Sequence, residues 1–399
     1  MKQAIYSVYF ILPIILLWRA KFVGVKKFND GFLSLEQSKN IQGFLAVCIM
    51  LHHIAQKTAA SWIQPKTRIV HGLDFFVSIG YIMVGLFLFF NGYGVYKSYH
   101  TKENYLNGFI RRRILPVVLA LYSTTFIFFI ARLLVGEKMD AKQVALYLTS
   151  IDLCNPNTWY VIVLPFFYLA FYLSFKSIKN DLVATLSTTI FVVLYMLLGT
   201  RINHNDYWIR GEWWYNCVHL FPIGILFAKF EDKIVPHLKK FYWAYLVVAL
   251  CALYPLYIYQ SFMGAKYGYY GDNPGIWAVP ELVFRRRMSL LGQSFVTVDF
   301  VLCVILLSMK LKIGNKFLKF MGTITLEFYL IHGLFVELFG WQFDGGVRSP
   351  HHIKYVIVYV IVVFALGIPS AILLKKFHQL ILGLVNGKKV SEKKLKKTA

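Results

Sequence analysis

Residues 114–131 read ILPVVLALYSTTFIFFIA, eighteen residues without a charge. About 20 such residues span the roughly 30 Å of hydrocarbon in a bilayer, so this run is expected to cross a membrane as a helix. It is preceded by Arg111-Arg112-Arg113, and the apolar character continues to residue 135 with Arg132 as its one charge. Working outward in both directions, comparable runs recur near 3–18, 38–56, 75–96, 158–175, 182–199, 214–229, 241–260, 289–309, 317–340 and 354–374. The expected fold is therefore an all-α polytopic membrane protein, a bundle of about 10–11 transmembrane helices. Residues 1–380 form one multi-pass domain, and 381–399 form a basic cytoplasmic tail. The first run is followed by Trp18-Arg19-Ala20-Lys21, which offers no small-residue cleavage site, and is expected to stay as a spanning helix.

Composition agrees with that reading. Of 399 residues 58% are hydrophobic and 16% charged, whereas soluble domains carry about a quarter charged residues. The net charge of +24 would suggest nucleic acid in a soluble chain, but here it belongs to loops beside anionic head groups. Loops 19–40, 97–113, 176–181, 229–240 and 310–319 with the tail 375–399 hold 28 Lys and Arg, against 12 in the alternate set. The first set is expected to be cytoplasmic, with the C-terminus inside a cell membrane. Arg285-Arg286-Arg287 is discordant: either that loop is oriented differently and re-enters, or the cluster meets an anionic external group. The cysteines at 48, 154, 217, 251 and 303 are dispersed singly, which points to buried small side chains and to no metal cluster or disulfide framework.

Chemistry enters with the second run, in which His52-His53 follows Ile41 to Leu51. Polar side chains in lipid must face protein or water, and a pair of histidines can simply bond a neighbouring helix. Neutral imidazole also accepts a proton from a hydroxyl near pH 7, the property of a general base. Later polar residues add to this. Tyr329 and His332, three apart, share one helical face in the tenth run; a helix–helix hydrogen bond and a direct part in chemistry both remain open for His332. Gly92 and Gly94 are expected to break the third run near its inner end. Asp299 is the acidic residue deep in a late run, and no internal repeat is visible, which weakens a transporter reading.

Several of these stretches resemble the acyltransferase 3 family of integral-membrane O-acyltransferases. Gly43 to His53 is similar to the family's first signature, in which a basic residue precedes an essential His by ten intervening positions; here that position is Gln42, and Lys39 lies one turn earlier. Phe89-Phe90-Asn91-Gly92-Tyr93-Gly94, Arg111-Arg112-Arg113-Ile114-Leu115-Pro116, Asn157-Thr158-Trp159-Tyr160, Phe221-Pro222-Ile223-Gly224 and Tyr329-Leu330-Ile331-His332 look like further signatures in the family's order. The resemblance covers about residues 38 to 340. It implies transfer of an acyl group, most often acetyl, from cytoplasmic acyl-CoA (acetyl-CoA) to a hydroxyl of a cell-surface glycan or lipid-linked sugar. On that implication His53 is the base and His52 its neighbour or orienter. Arg111, Arg112 and Arg113 clamp the phosphates of coenzyme A, and Tyr329, His332, Trp159 and Asn91 position substrate. No metal is called for. The partners are acyl-CoA, the sugar acceptor and membrane lipids, with no nucleic acid, and the acyl group passes directly or through a separate extracellular transferase. The competing reading is a transporter or flippase for a polysaccharide precursor or small solute.

Overall fold

The computed structural model describes residues 2–60, 72–204, 208–268, 272–341, 349 and 351–385. Each expected apolar run contains helix, although in the seventh, 214–229, the α-helix begins only at Leu220. A turn of 3-10 helix, Lys2–Ser7, leads into α1 (Val8–Leu17), followed by α2 (Leu35–Thr58), α3 (Gly80–Thr101) and α4 (Leu115–Leu134). Next come α5 (Ala141–Leu148), α6 (Trp159–Ser177), α7 (Asp181–Arg201), α8 (Leu220–Lys229), α9 (Glu231–Lys240) and α10 (Tyr242–Tyr267). The chain ends with α11 (Pro280–Lys310), α12 (Lys316–Thr323), α13 (Thr325–Phe339) and α14 (Val356–Val385). Short strands β1 (Lys21–Phe22) and β2 (Leu311–Lys312) pair antiparallel at the end of the bundle that carries the basic loops. Side-chain caps start several helices where the sequence supplies them: Ser34 before α2, Asp140 before α5, Asn180 before α7 and Asn315 before α12.

Among the described residues six helices are long and apolar enough to cross a membrane unaided, or seven if the bent pair α12–α13 is one span. The other expected spans are shorter, as in α1 and α8, or carry the polar side chains of α2 and α3. Two expectations are corrected here. The tenth run is two helices meeting at 83°, because Ile324 leaves helical geometry between them. The third run is unbroken through Gly92 and Gly94. Helix α14 runs to Val385, and residues 386–399 of the expected tail lie outside the described ones.

Close backbone approaches explain the glycines. A side chain at Gly92 would run into the Phe221 carbonyl, and one at Gly224 into the Phe89 carbonyl, so α3 and α8 cross main chain against main chain. The same reciprocity holds α2 on α12, where Gly43 meets Leu318 O and Gly322 meets Lys39 O. Exposed side chains along α4, α7, α10 and α14, such as Leu134, Ile190, Val248 and Leu373, are apolar, as a lipid-facing surface requires. Four cysteines are buried and Cys251 is exposed on α10.

The discordant arginines have a structural occupation. Arg286 is fully buried; its Nη2 pairs with Asp272 Oδ1 at 2.7 Å and its Nη1 donates to the Ile202 carbonyl at 2.8 Å. Arg285 pairs with Glu281 one turn away, and Arg287 Nε donates to Thr200 Oγ1. The cluster fastens the start of α11 to the end of α7, and its anionic partners Asp272 and Glu281 come from this chain, which accounts for it without re-entry or an external anionic group.

Candidate functional site

Helices α2 and α13 meet at the centre of the bundle, and the histidines of both face one another. His53 and His332 stack with ring centroids 5.0 Å apart and an interplanar angle of 10°, and His53 Nδ1 lies 2.7 Å from His332 Nε2. His332 Nδ1 is 2.7 Å from the Phe328 carbonyl. A carbonyl only accepts, so His332 carries its proton on Nδ1. In the neutral pair its Nε2 is then an acceptor, and His53 Nδ1–H donates to it. The proton positions are thereby fixed in sequence from one backbone oxygen: His53 is left with an unprotonated Nε2. This is the arrangement of a base held in one tautomer by a second group. Residue 332 is fully buried and 53 is 9% exposed, so the free nitrogen belongs to the ring that reaches a cavity.

His52 has a different attachment. Its Nδ1–H donates to the Phe76 carbonyl at 2.7 Å, and its ring packs over Gly80, where a side chain would collide with it. The residue that orients His53 is His332, and His52 stands beside it with centroids 5.2 Å apart.

Two cavities approach this centre from opposite ends. One, of about 830 Å³, opens at the end with the basic loops and is lined by Lys39, Gln42, Asn91, Lys97, Lys102 and Arg113 among others. The second, of about 800 Å³, lies towards the opposite end and is lined by His52, His53, Lys57, Trp159, Glu212 and Gln293 among others. Tyr329 lines both. Its ring meets Tyr160 edge-on at 5.7 Å and His53 at 6.4 Å. Behind it, Asn91 Nδ2 donates to Tyr160 OH at 2.7 Å while Asn91 Oδ1 accepts from Tyr168 OH at 2.5 Å. Tyr329 thus stands between the two cavities, backed on the basic-end side by Tyr160 and Tyr168, which the one amide of Asn91 holds together.

The expected site residues divide between these spaces. Arg113 reaches the basic-end cavity, where its Nε donates to Tyr105 OH at 2.8 Å. Arg111 and Arg112 are exposed on the π-helical turn Ile110–Ile114 and do not line that cavity; Arg112 Nη2 holds the Tyr105 carbonyl at 2.7 Å. Asn91 belongs to the same cavity, Trp159 to the opposite one, and His332 sits behind His53 without lining either. Lys39 lies fourteen residues from His53 on α2, about 21 Å along the axis, so it serves the basic-end cavity and leaves the imidazole to His332.

Sequence reasoning did not single out Lys97, Lys102 or the polar wall of the second cavity. Lys97 is paired with Glu231 at 2.7 Å and Lys57 with Glu337 at 2.9 Å. A signal for that wall was present in Gln260 and Gln293, uncharged amides inside otherwise apolar helices. Glu327 lies outside both cavity walls described and accepts from His378, which also contacts Ser123 at 2.7 Å, joining α13, α14 and α4. Asp299 stands apart from both cavities, with a buried oxygen lacking a partner.

The family model described as an acyltransferase domain matches residues 37–375. No curated protein and no solved structure matches. Between the two classes that the polar spans leave open, enzyme and transporter, the match decides for the enzyme. It covers nearly the whole of a helical bundle built around a paired-histidine centre, and the chain belongs to this family of membrane acyltransferases.

Proposed function

We propose that the protein moves an acyl group, acetyl by family resemblance, from acyl-CoA in the basic-end cavity to a hydroxyl of a glycan or lipid-linked sugar in the opposite cavity. The observation that carries this reading is the relay from the Phe328 carbonyl through His332 to His53, which leaves one unprotonated nitrogen beside the wall between the cavities. The basic end is cytoplasmic on this reading, in keeping with its share of Lys and Arg. Lys39, Lys102 and Arg113 supply charge for the donor's phosphates.

In the reaction His53 Nε2 takes the acceptor hydroxyl proton as the oxygen attacks the thioester carbonyl. The new C–O bond forms, the C–S bond breaks, and the proton on His53 passes to the departing thiolate. His53 and His332 keep their mutual bond throughout, so the positive charge that develops on His53 is shared along the relay. Tyr329, beside both reactants, is placed to hold the thioester against His53. The test is acyl transfer by purified protein carrying His53→Ala: transfer should fall by about 10²- to 10⁴-fold, the usual worth of a general base, with expression and melting retained. A variant with normal turnover would remove His53 from the mechanism.

A further inference from the structure

The cavity that His53 lines has a second set of polar residues, used neither by the imidazole relay nor by the Lys57–Glu337 pair. Glu212 comes from the short turn Glu212–Trp214 before α8, Asn216 from the segment that follows, and Gln293 from the middle of α11. All three are at least nine-tenths buried, at 3%, 4% and 9% exposure. Glu212 Oε2 accepts from Gln293 Nε2 at 2.6 Å and from Ser289 Oγ at 3.2 Å. Those bonds fix the Gln293 amide with its carbonyl oxygen unused. Glu212 Oε1, Asn216 Oδ1 and Gln293 Oε1 are each buried without a hydrogen-bond partner, as is the hydroxyl of Tyr81 on the same wall. Among the described residues the basic-end cavity has no such atom on its lining. Buried polar groups are almost always satisfied in a finished structure, so an unsatisfied set gathered on one cavity wall marks a place that something else completes.

We propose that Glu212, Asn216 and Gln293 form a subsite for an uncharged polyol, accepting hydrogen bonds from two or more of its hydroxyls while another hydroxyl lies at His53. The proposal rests on the reading of His53 as the base only for that last contact. Three unused oxygens call for donors, which hydroxyls provide in a row and a single alcohol does not. An ammonium also donates, but two of the three acceptors are neutral amide oxygens, and the nearby cations Lys57 and Arg286 already hold Glu337 and Asp272, so an uncharged donor satisfies the wall without burying a new charge. Trp159 and Trp213 on the wall offer flat apolar faces for the C–H side of a ring.

The experiment uses full-length protein in lipid nanodiscs and saturation-transfer NMR with three probes of similar size: methyl glucoside, cyclohexanol and cyclohexylammonium. Methyl glucoside should bind at least about tenfold more tightly than cyclohexanol, and Glu212→Leu or Asn216→Leu should each remove about tenfold of that affinity, the scale of one buried hydrogen bond. Glu212→Gln, which keeps an oxygen acceptor, should retain most of it. Ligand-free melting of each variant reports folding, and if the leucine variants fail to fold, the ranking of probes on the native protein together with Glu212→Gln decides. Preference for cyclohexylammonium, equal binding of glucoside and cyclohexanol, or variants that weaken all probes alike would each overturn the subsite. Glucoside binding that depends on Glu212 without any acyl transfer from acetyl-CoA would leave the subsite standing and remove the transferase reading. Transfer to the glucoside with an unchanged KM in the leucine variants would do the reverse.

Discussion

Removing His332 should cripple turnover without emptying either cavity. In His332→Leu the Nδ1–H of His53 loses the acceptor 2.7 Å away, and a buried donor without a partner costs about 1–3 kcal/mol. His53 escapes that cost by rotating or by moving its proton to Nε2, and either change takes the lone pair away from the acceptor hydroxyl. The penalty therefore falls on the transition state, and the same 1–3 kcal/mol corresponds to roughly five- to 150-fold in kcat. Because residue 332 lines neither cavity, KM for both substrates should stay within about threefold, the scale of a sub-kcal/mol change in binding. His332→Gln places an amide oxygen close to the lost Nε2 and should recover a large part of the loss. Steady-state transfer from radiolabelled acetyl-CoA, with each variant's melting temperature measured alongside, separates the cases. Wild-type kcat in the leucine variant, or a glutamine variant no better than leucine, would refute the relay.

Further outcomes follow from the same geometry. Tyr329→Ala should join the two cavities and raise acyl-CoA hydrolysis without acceptor, measured as free thiol release, while Tyr329→Phe should not. Lys39→Gln and Arg113→Gln should each raise KM for acyl-CoA by about tenfold or more, the worth of a charge-assisted hydrogen bond, with kcat nearly unchanged and the effect shrinking at high salt. Glu212 gives a pH signature: burial pushes its carboxyl up to about 7 from an ordinary 4.5. The folded state then binds the proton more tightly than the unfolded one, so its contribution is complete below about 4.5 and is lost as pH rises through about 7. At 1.36 kcal/mol per pH unit the loss approaches about 3 kcal/mol. Thermal midpoints should fall between pH 5 and 8, and Glu212→Gln should flatten that dependence.

The spans were legible because hydrocarbon imposes one length and one composition on every crossing, so each apolar run from 3–18 to 354–374 carries a helix. Interruptions were less legible. Nothing in the local pattern of 317–340 announces an 83° bend, since the bend depends on how α12 lies against Gly43 of α2. At the site the residue types were readable and the contacts were not. His53 and His332 both stood out as polar residues in apolar runs, yet they are 279 positions apart, and no periodicity links two helices across that distance. Gln42, where the resemblance leads one to expect a cation, left the activation of His53 without a source in the sequence. The structure places His332 of α13 at 2.7 Å from His53, the partner on which the proposed activation rests, and Lys39 on the lining of the basic-end cavity. A run of three arginines looks like one unit, but on the π-helical turn the three side chains diverge, and of them Arg113 lines the basic-end cavity.

The tyrosine wall has an electrical consequence. With water in both cavities, the insulating layer between them would narrow to the neighbourhood of Tyr329, which lines both. A membrane potential then falls across a few ångströms, and an elementary charge carried through would exchange about 2.3 kcal/mol per 100 mV. On the proposed function the acyl group that passes is neutral and would cross that field without work, whereas a proton or a metal cation would not. The same side chain that, on that proposal, lies between the reactants would keep a two-mouthed protein from short-circuiting the membrane that holds it.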